Sequence, residues 1–401
     1  MTMKKTTKKK TLMNKMTKKL LPLVAGAALM MAAVTGCGSE APASGGDSGQ
    51  SVNLESAEQT EKDTQADTQT DGSSEDAAAG STADSGSTEE QKDSGSNVDK
   101  TESAPVVRIG SLSGPTSMGL VKLMDDAEQG NTQNTYEFAE LSTDPSAFVA
   151  PLSTGELDIA AVPSNLACVL YNKTEGGIQV LAINNLCVLN IVERGETVNT
   201  LADLKGKKVY ATGQGAVPEY TLRYLLNQNG IDPDSDVEIQ WCADTTEALS
   251  YVSADTEAIA MLPQPFATAA LAQVEGLRLA IDLNEEWMNL QNGCKQVTGV
   301  IVVRKEFAEQ NPDAVKIFLS EYEASMNYSL EDTEGAAALI EKSGIVGKAA
   351  LAQKALPGCH LNYEIGKDMQ TSLSGFLKIL YDENPASVGG KLPEDDFYYG
   401  I

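Results

Sequence analysis

The chain is short of the residues that most often carry catalysis or bind metal. Its only histidine is His360, in a Pro357-Gly358-Cys359-His360 loop near the C-terminus. General acid–base chemistry draws mainly on histidine or on paired carboxylates, and no such pairing, metal-ligand spacing or nucleophile elbow stands out after Val106. Six cysteines occur, at 37, 168, 187, 242, 294 and 359, none at C-x-x-C spacing, so neither a zinc nor a redox motif is present. With Cys37 set aside, five remain in apolar segments and read as small buried free thiols. A Cys294–Cys359 bridge is the alternative left open. Aromatic residues make up 5% of the chain. Basic residues are also scarce: 30 Lys and Arg stand against 57 Asp and Glu, a net charge of −27. That balance excludes nucleic acid and an anionic membrane surface as partners. The only long apolar run, Leu20 to Val34, falls short of the ~20 residues a spanning helix needs.

What is there divides by composition. Residues 1–36 hold eight lysines and no acid, and the lysines precede the apolar run. A basic segment, a short apolar segment and then small residues are the parts of an export signal. The run closes on Val34-Thr35-Gly36-Cys37, which resembles the lipobox of bacterial lipoproteins. The resemblance implies removal of residues 1–36 and diacylglycerol on the Cys37 thiol, with a further acyl chain on the freed amine. Two or more chains suffice for stable anchoring where one does not. The expected location is the outer face of a cell membrane, Gram-positive-like rather than periplasmic. Residues 38–104 are Ser, Gly, Ala, Thr, Gln and acids with a net charge of −13. Such a segment cannot bury enough apolar surface to fold. Together with Cys37 it reads as a flexible tether, residues 37–104, with a mean reach on the order of 45 Å. A G-x-S-G string at Gly46 to Gly49 lies inside the tether and carries no hydrolase signal.

From about residue 105 onward, with a net charge of −22, apolar content suffices for one or two cores. Short β-branched runs alternate with helical patterns. Val106–Gly110, Thr135–Leu141, Leu157–Val162, Ile178–Ile183 and Leu186–Val192 are expected strands, with helices opening at Pro115, Pro145 and Pro163. A second unit starts near Thr200, with strands at Lys207–Ala211, Val237–Trp241, Ala258–Leu262 and Leu277–Ile281. Val297–Val303 is a further strand, and Asn311-Pro312 is a cap and first-turn pair opening a long helix. The tail after Glu334 is helical in pattern. Alternation predicts an α/β protein with largely parallel sheets. Two lobes are expected, the first from residues 105–195 and 298–401, the second from 196–297. The crossings between lobes, near 190–200 and 296–303, would form a two-strand hinge with a ligand cleft, where ligands favour strand C-termini.

At Thr200 to Val209 (T-L-A-D-L-K-G-K-K-V), Leu157 to Asn165 (L-D-I-A-A-V-P-S-N) and Val297 to Phe318, the chain resembles the substrate-binding proteins of ABC transporters in the nitrate, sulfonate, taurine and thiamine-precursor group. The resemblance covers about residues 106–401. It implies a type II periplasmic-binding-protein fold, a monomer that closes around a small-molecule solute and docks on ABC permease subunits, with no cofactor, metal or enzymatic activity. It also places the cleft loops. After the first strand these are Ser113, Gly114, Thr116, Ser117 and Met118; after the third, Pro163, Ser164 and Asn165. The second lobe supplies Gly213, Gln214, Gly215, Ala216, Val217 and Gln264, and Asn184 lies near a crossing. Each loop sets backbone N–H groups at a helix start, which favours a polar or anionic ligand group, although Ser and Asn there also serve as plain helix caps. One departure stands out: none of these loops contains Arg or Lys, whereas arginine is the usual partner of sulfonate or phosphate. Trp241 and Trp287 are either ligand-stacking or core residues. Gly213-x-Gly215-x-x-Pro218 misses a dinucleotide fingerprint at its third glycine. Two other classes compete with solute delivery. One is a ligand-sensing surface lipoprotein. The other is an enzyme on the same fold, of the menaquinone or thiamine-pyrimidine type, against which His360 stands far from the proposed cleft loops.

Overall fold

The computed structural model describes residues 105–401. The export signal, Cys37 and the tether expected from the sequence lie outside these residues. Two mixed sheets carry the fold. The first runs in the order β11-β4-β10-β3-β1-β2, and the second in the order β7-β6-β8-β5-β9. The strands are β1 (Val106–Ser111), β2 (Thr135–Phe138), β3 (Ile159–Pro163), β4 (Ile178–Leu186), β5 (Leu189–Arg194), β6 (Lys208–Ala211), β7 (Glu238–Trp241), β8 (Ile259–Pro263), β9 (Leu277–Asp282), β10 (Val297–Arg304) and β11 (Leu361–Glu364).

The central strands are continuous apolar runs because helices cover both faces of each sheet. Alternation decides which residue faces which layer. In β3 and β10, Ala160, Val162, Val300 and Val302 face one core, whereas Ile159, Ala161, Ile301 and Val303 face the other. That second core is closed by Phe318, Tyr322 and Met326 of the helix Pro312–Glu331. Asn311 precedes that helix without capping it; its amide donates back to the Phe307 carbonyl at 3.1 Å.

The pairings correct the expectation of largely parallel sheets. β1 with β2, β1 with β3, β6 with β7 and β6 with β8 are parallel. The pairs made by β5 and β10, and that of β11 with β4, are antiparallel. The reason is topological. A strand that has just crossed from the other sheet enters its new sheet at the shared edge, so it runs against neighbours that end there. The first crossing is also earlier than expected. β4 belongs to the first sheet and β5 to the second, so the chain crosses at Cys187-Val188, both buried, not after 190. The return lies between the helix Leu283–Asn289 and β10.

The C-terminal helix Gly366–Glu383 joins the two layers. Met369, Leu373, Phe376, Leu377 and Leu380 recur at helical spacing and are fully buried. They share one cluster with Ile183 and Val300 of the first sheet and Val209 of the second. Phe376 meets Trp287 edge-on, with ring centroids 5.5 Å apart. Trp287 is thus core, its indole N–H donating to the Cys294 carbonyl at 3.0 Å, and Trp241 packs partly buried against the same cluster. The helix approaches Cys294 closely enough that a Cβ at Gly375 would sit 2.6 Å from the Cys294 Cβ. All five cysteines of the described region are free, so Cys294 and Cys359 do not pair. Burial raises the Cys168, Cys187 and Cys359 thiols to about 12. No helix among the described residues is long and apolar enough to cross a membrane.

Candidate functional site

The strand directions bring the C-terminal ends of β1, β3 and β4 to the same edge as those of β6, β8 and β9. There a cavity of about 500 Å³ opens between the sheets. Pro163, Asn165, Leu166 and Val169 wall it from the first sheet's side. Ala216, Val217, Pro218 and Pro263 face them from the second. Val188 of the first crossing and Leu189 at the start of β5, with Gln296 of the return and Thr298 at the start of β10, form the remaining wall, and Asp144 to Ser146 close one rim.

Most polar side chains of this wall are already engaged. Gln296, fully buried, donates to the Thr221 hydroxyl at 3.1 Å and accepts from the Thr298 hydroxyl at 3.0 Å. The Asn165 amide donates to the Ser387 carbonyl at 3.3 Å. The Asp144 carboxylate accepts from the Ser146 hydroxyl at 2.7 Å and its backbone N–H at 2.8 Å. Those two bonds, the hydroxyl first, hold Asp144 below the usual carboxylate range. No Lys or Arg lines the cavity. Two helices start at it, Ser164–Lys173 and Val217–Gln228, neither with a side-chain cap.

Four of the residues proposed from the sequence line the cavity: Pro163, Asn165, Ala216 and Val217. The others do not. Ser164 is buried, its hydroxyl donating to the Val297 carbonyl at 2.5 Å and so tying helix to β10. Ser113 donates its backbone N–H to the Ser142 carbonyl, and Gly114 takes a φ of +114° that suits glycine. Ser117 bonds back to the Gly114 carbonyl at 2.9 Å, and Met118 is core. Thr116 offers its carbonyl to the Asn184 amide at 2.8 Å, both residues being buried. In the loop Gly213-Gln214-Gly215 the Gly215 N–H is already taken, donating to the Glu219 carboxylate at 2.6 Å. That acid comes from the first turn of the helix it precedes, so the chain supplies its own anion there.

Gln264 lies in a different crevice, of about 600 Å³, beside Asp282, Lys354 and His360. Its carbonyl oxygen accepts from the Thr268 hydroxyl at 2.7 Å. His360 is therefore not remote from every proposed cleft loop. The backbone carbonyl of His360 accepts from Leu186 at 3.0 Å, which returns its loop to the cleft end of β4. Its imidazole meets Asp282 at 3.0 Å, joining the end of β9 in the second sheet to the first. No group of three or more His, Cys, Asp or Glu among the described residues is placed to hold a metal. Sequence reading missed Asp144 to Ser146, Leu166, Val169, Val188, Leu189, Gln296 and Thr298. Leu166 and Val169 follow Asn165 by one and four residues along one helix face, a legible signal. The crossing residues carry none, because only pairing reveals where the chain changes sheet.

The NMT1/THI5-like family model matches residues 140–336. A binding protein of Brucella abortus is 25% identical over 236 residues, 58% of this chain and 70% of its own. An ABC transporter structure from Parabacteroides distasonis superposes with a TM-score of 0.61 at 22% identity, over 73% of this chain and 98% of its own. The periplasmic aliphatic sulphonate binding protein SsuA of Escherichia coli does so at 0.58 and 18%, over 74% and 96%. Residues 140–336 are thus similar to the NMT1/THI5-like family, and the described residues adopt a two-lobed type II periplasmic-binding-protein fold.

Proposed function

We propose that the chain is the extracytoplasmic solute-binding component of an ABC importer, anchored through lipid on Cys37 and delivering a small molecule to a membrane permease. The carrying observation is the 500 Å³ cavity walled by both sheets and both crossings. A cleft between lobes at strand C-termini is where this architecture takes ligands. The similarity to a Brucella binding protein, to the periplasmic SsuA and to the ABC transporter structure supports the same reading. In it, residues 1–36 are a cleaved export signal and 37–104 the tether. The lobes then meet at the Cys187-Val188 crossing and at the return before β10, and solute bound on one lobe draws the other over it. Full-length protein from native membranes should release one solute per chain on denaturation, identified by mass spectrometry. Cys37→Ala should pass from the membrane to the soluble fraction or stay unprocessed. Protein that emerges empty and takes up nothing from a metabolite extract defeats the capture reading. Unaltered membrane retention of Cys37→Ala defeats the anchor.

A further inference from the structure

The structural neighbour named for sulphonate binding invites the assumption of an anionic cargo, and the chemistry of this cavity argues the other way. Its wall is built from Pro145, Pro163, Leu166, Val169, Leu189 and Val217, with no cationic side chain. The only full charge on it is negative, the Asp144 carboxylate. Thr298 and Ser146 spend their single hydroxyl donors on protein acceptors, and Gln296 and Asn165 each spend one of two amide N–H donors the same way. What remains to hold an oxygen is uncharged: the second N–H of each of those two amides and the backbone N–H groups of the two helix starts. A helix end carries only about half an elementary charge, so it draws a nearby anion less strongly than a cationic side chain would. Stripping a sulfonate or carboxylate of water is costly unless a charged, hydrogen-bonding partner replaces the water. The first effect cannot offset the second, and Asp144 adds repulsion. An uncharged acceptor needs only a helix N–H, and an apolar body gains from the aliphatic wall.

Resting on the importer reading, we infer that this cavity selects an uncharged, largely apolar solute with one hydrogen-bond acceptor, and discriminates against sulfonates and carboxylates of the same shape. Matched pairs that differ in charge test it by calorimetry on the folded protein. Suitable pairs are benzenesulfonamide against benzenesulfonate, butanesulfonamide against butanesulfonate, and cyclohexanecarboxamide against cyclohexanecarboxylate. The neutral member should bind at least about tenfold tighter in each pair that binds. Leu166→Arg, on a partly buried position of the wall, should reverse that order, its melting temperature reporting that the fold is kept. Equal or tighter binding of the anions to the unaltered chain overturns the inference and leaves the importer reading standing. Silence from all six probes overturns the inference, and recovery of a native solute then decides the importer reading separately.

Discussion

Asp158 shows how one side chain can sit inside a resemblance-bearing segment and serve the fold. Fully buried, it accepts from the Arg108 backbone N–H at 3.1 Å, from the Arg108 Nε and Nη2 at 2.8 Å each, and from Arg304 Nη2 at 3.2 Å. It thereby pins β1 and β10 to the entrance of β3. A bidentate guanidinium–carboxylate pair is geometrically specific, and removing one partner strands the other's charge. Asp158→Ala should lower stability by about 3 kcal/mol, the low end for a broken buried pair because Arg108 is partly solvated. Urea unfolding measures it, and an unmoved midpoint would refute the assignment. Glu193 plays a similar part in the second sheet. Burial pushes its carboxyl up, but bonds from Val198, Thr197 and Arg278 outweigh burial and hold it below the usual range.

Among elements, the C-terminal helix Gly366–Glu383 carries the most tertiary information. Its apolar stripe was legible in the sequence as helix; its partners were not. It lies against β4 and β10 of the first sheet and against the helix Val217–Gln228 that follows β6 of the second. Truncating its central ring, Phe376→Ala, should cost about 3–5 kcal/mol. Because Phe376 rests on Trp287, the unfolding transition should move together in indole fluorescence and in far-ultraviolet dichroism. If fluorescence shifted while dichroism stayed put, the helix would not be part of a core common to both sheets. β11 is the element the sequence reading missed. Its four residues, Leu361–Glu364, fall within a tail of helical pattern, and their strand character comes from pairing with β4, far away in sequence.

For the whole molecule, the contacts that join the two sheets matter most. Asp282 ends β9 and meets His360 at 3.0 Å beside β11. Burial pushes the Asp282 carboxyl up, but the His360 imidazole and the N–H groups of Asn284 and Glu285 prevail and hold it below its ordinary value. A carboxylate depressed on folding contributes stability above its unfolded pKa, about 3.9. That contribution is lost as pH falls through the lower folded value. Asp282→Asn should therefore melt below the unaltered protein at pH 6, with the gap closing as pH drops below about 4. A gap independent of pH would show that the pair contributes by packing alone.

The sequence by itself determined the α/β alternation, the positions of nearly all strands and the resemblance to importer binding proteins, because these rest on local periodicity and short motifs. It also located two helix starts of the cavity, at Pro163-Ser164-Asn165 and Ala216-Val217. It did not separate lining from support. Ser164 and Asn165 are adjacent and equally polar, yet Ser164 turns inward to a β10 carbonyl while Asn165 reaches the cavity. Tertiary structure alone decided the change of sheet at Cys187-Val188, the antiparallel entry of β5 and β10, and the joining of Gln296 and Thr298 to a wall begun at Asp144. The physical reason is common to all three. Pairing partners and cavity walls are set by contacts between residues distant along the chain, and side-chain direction at a helix start depends on what lies across from it.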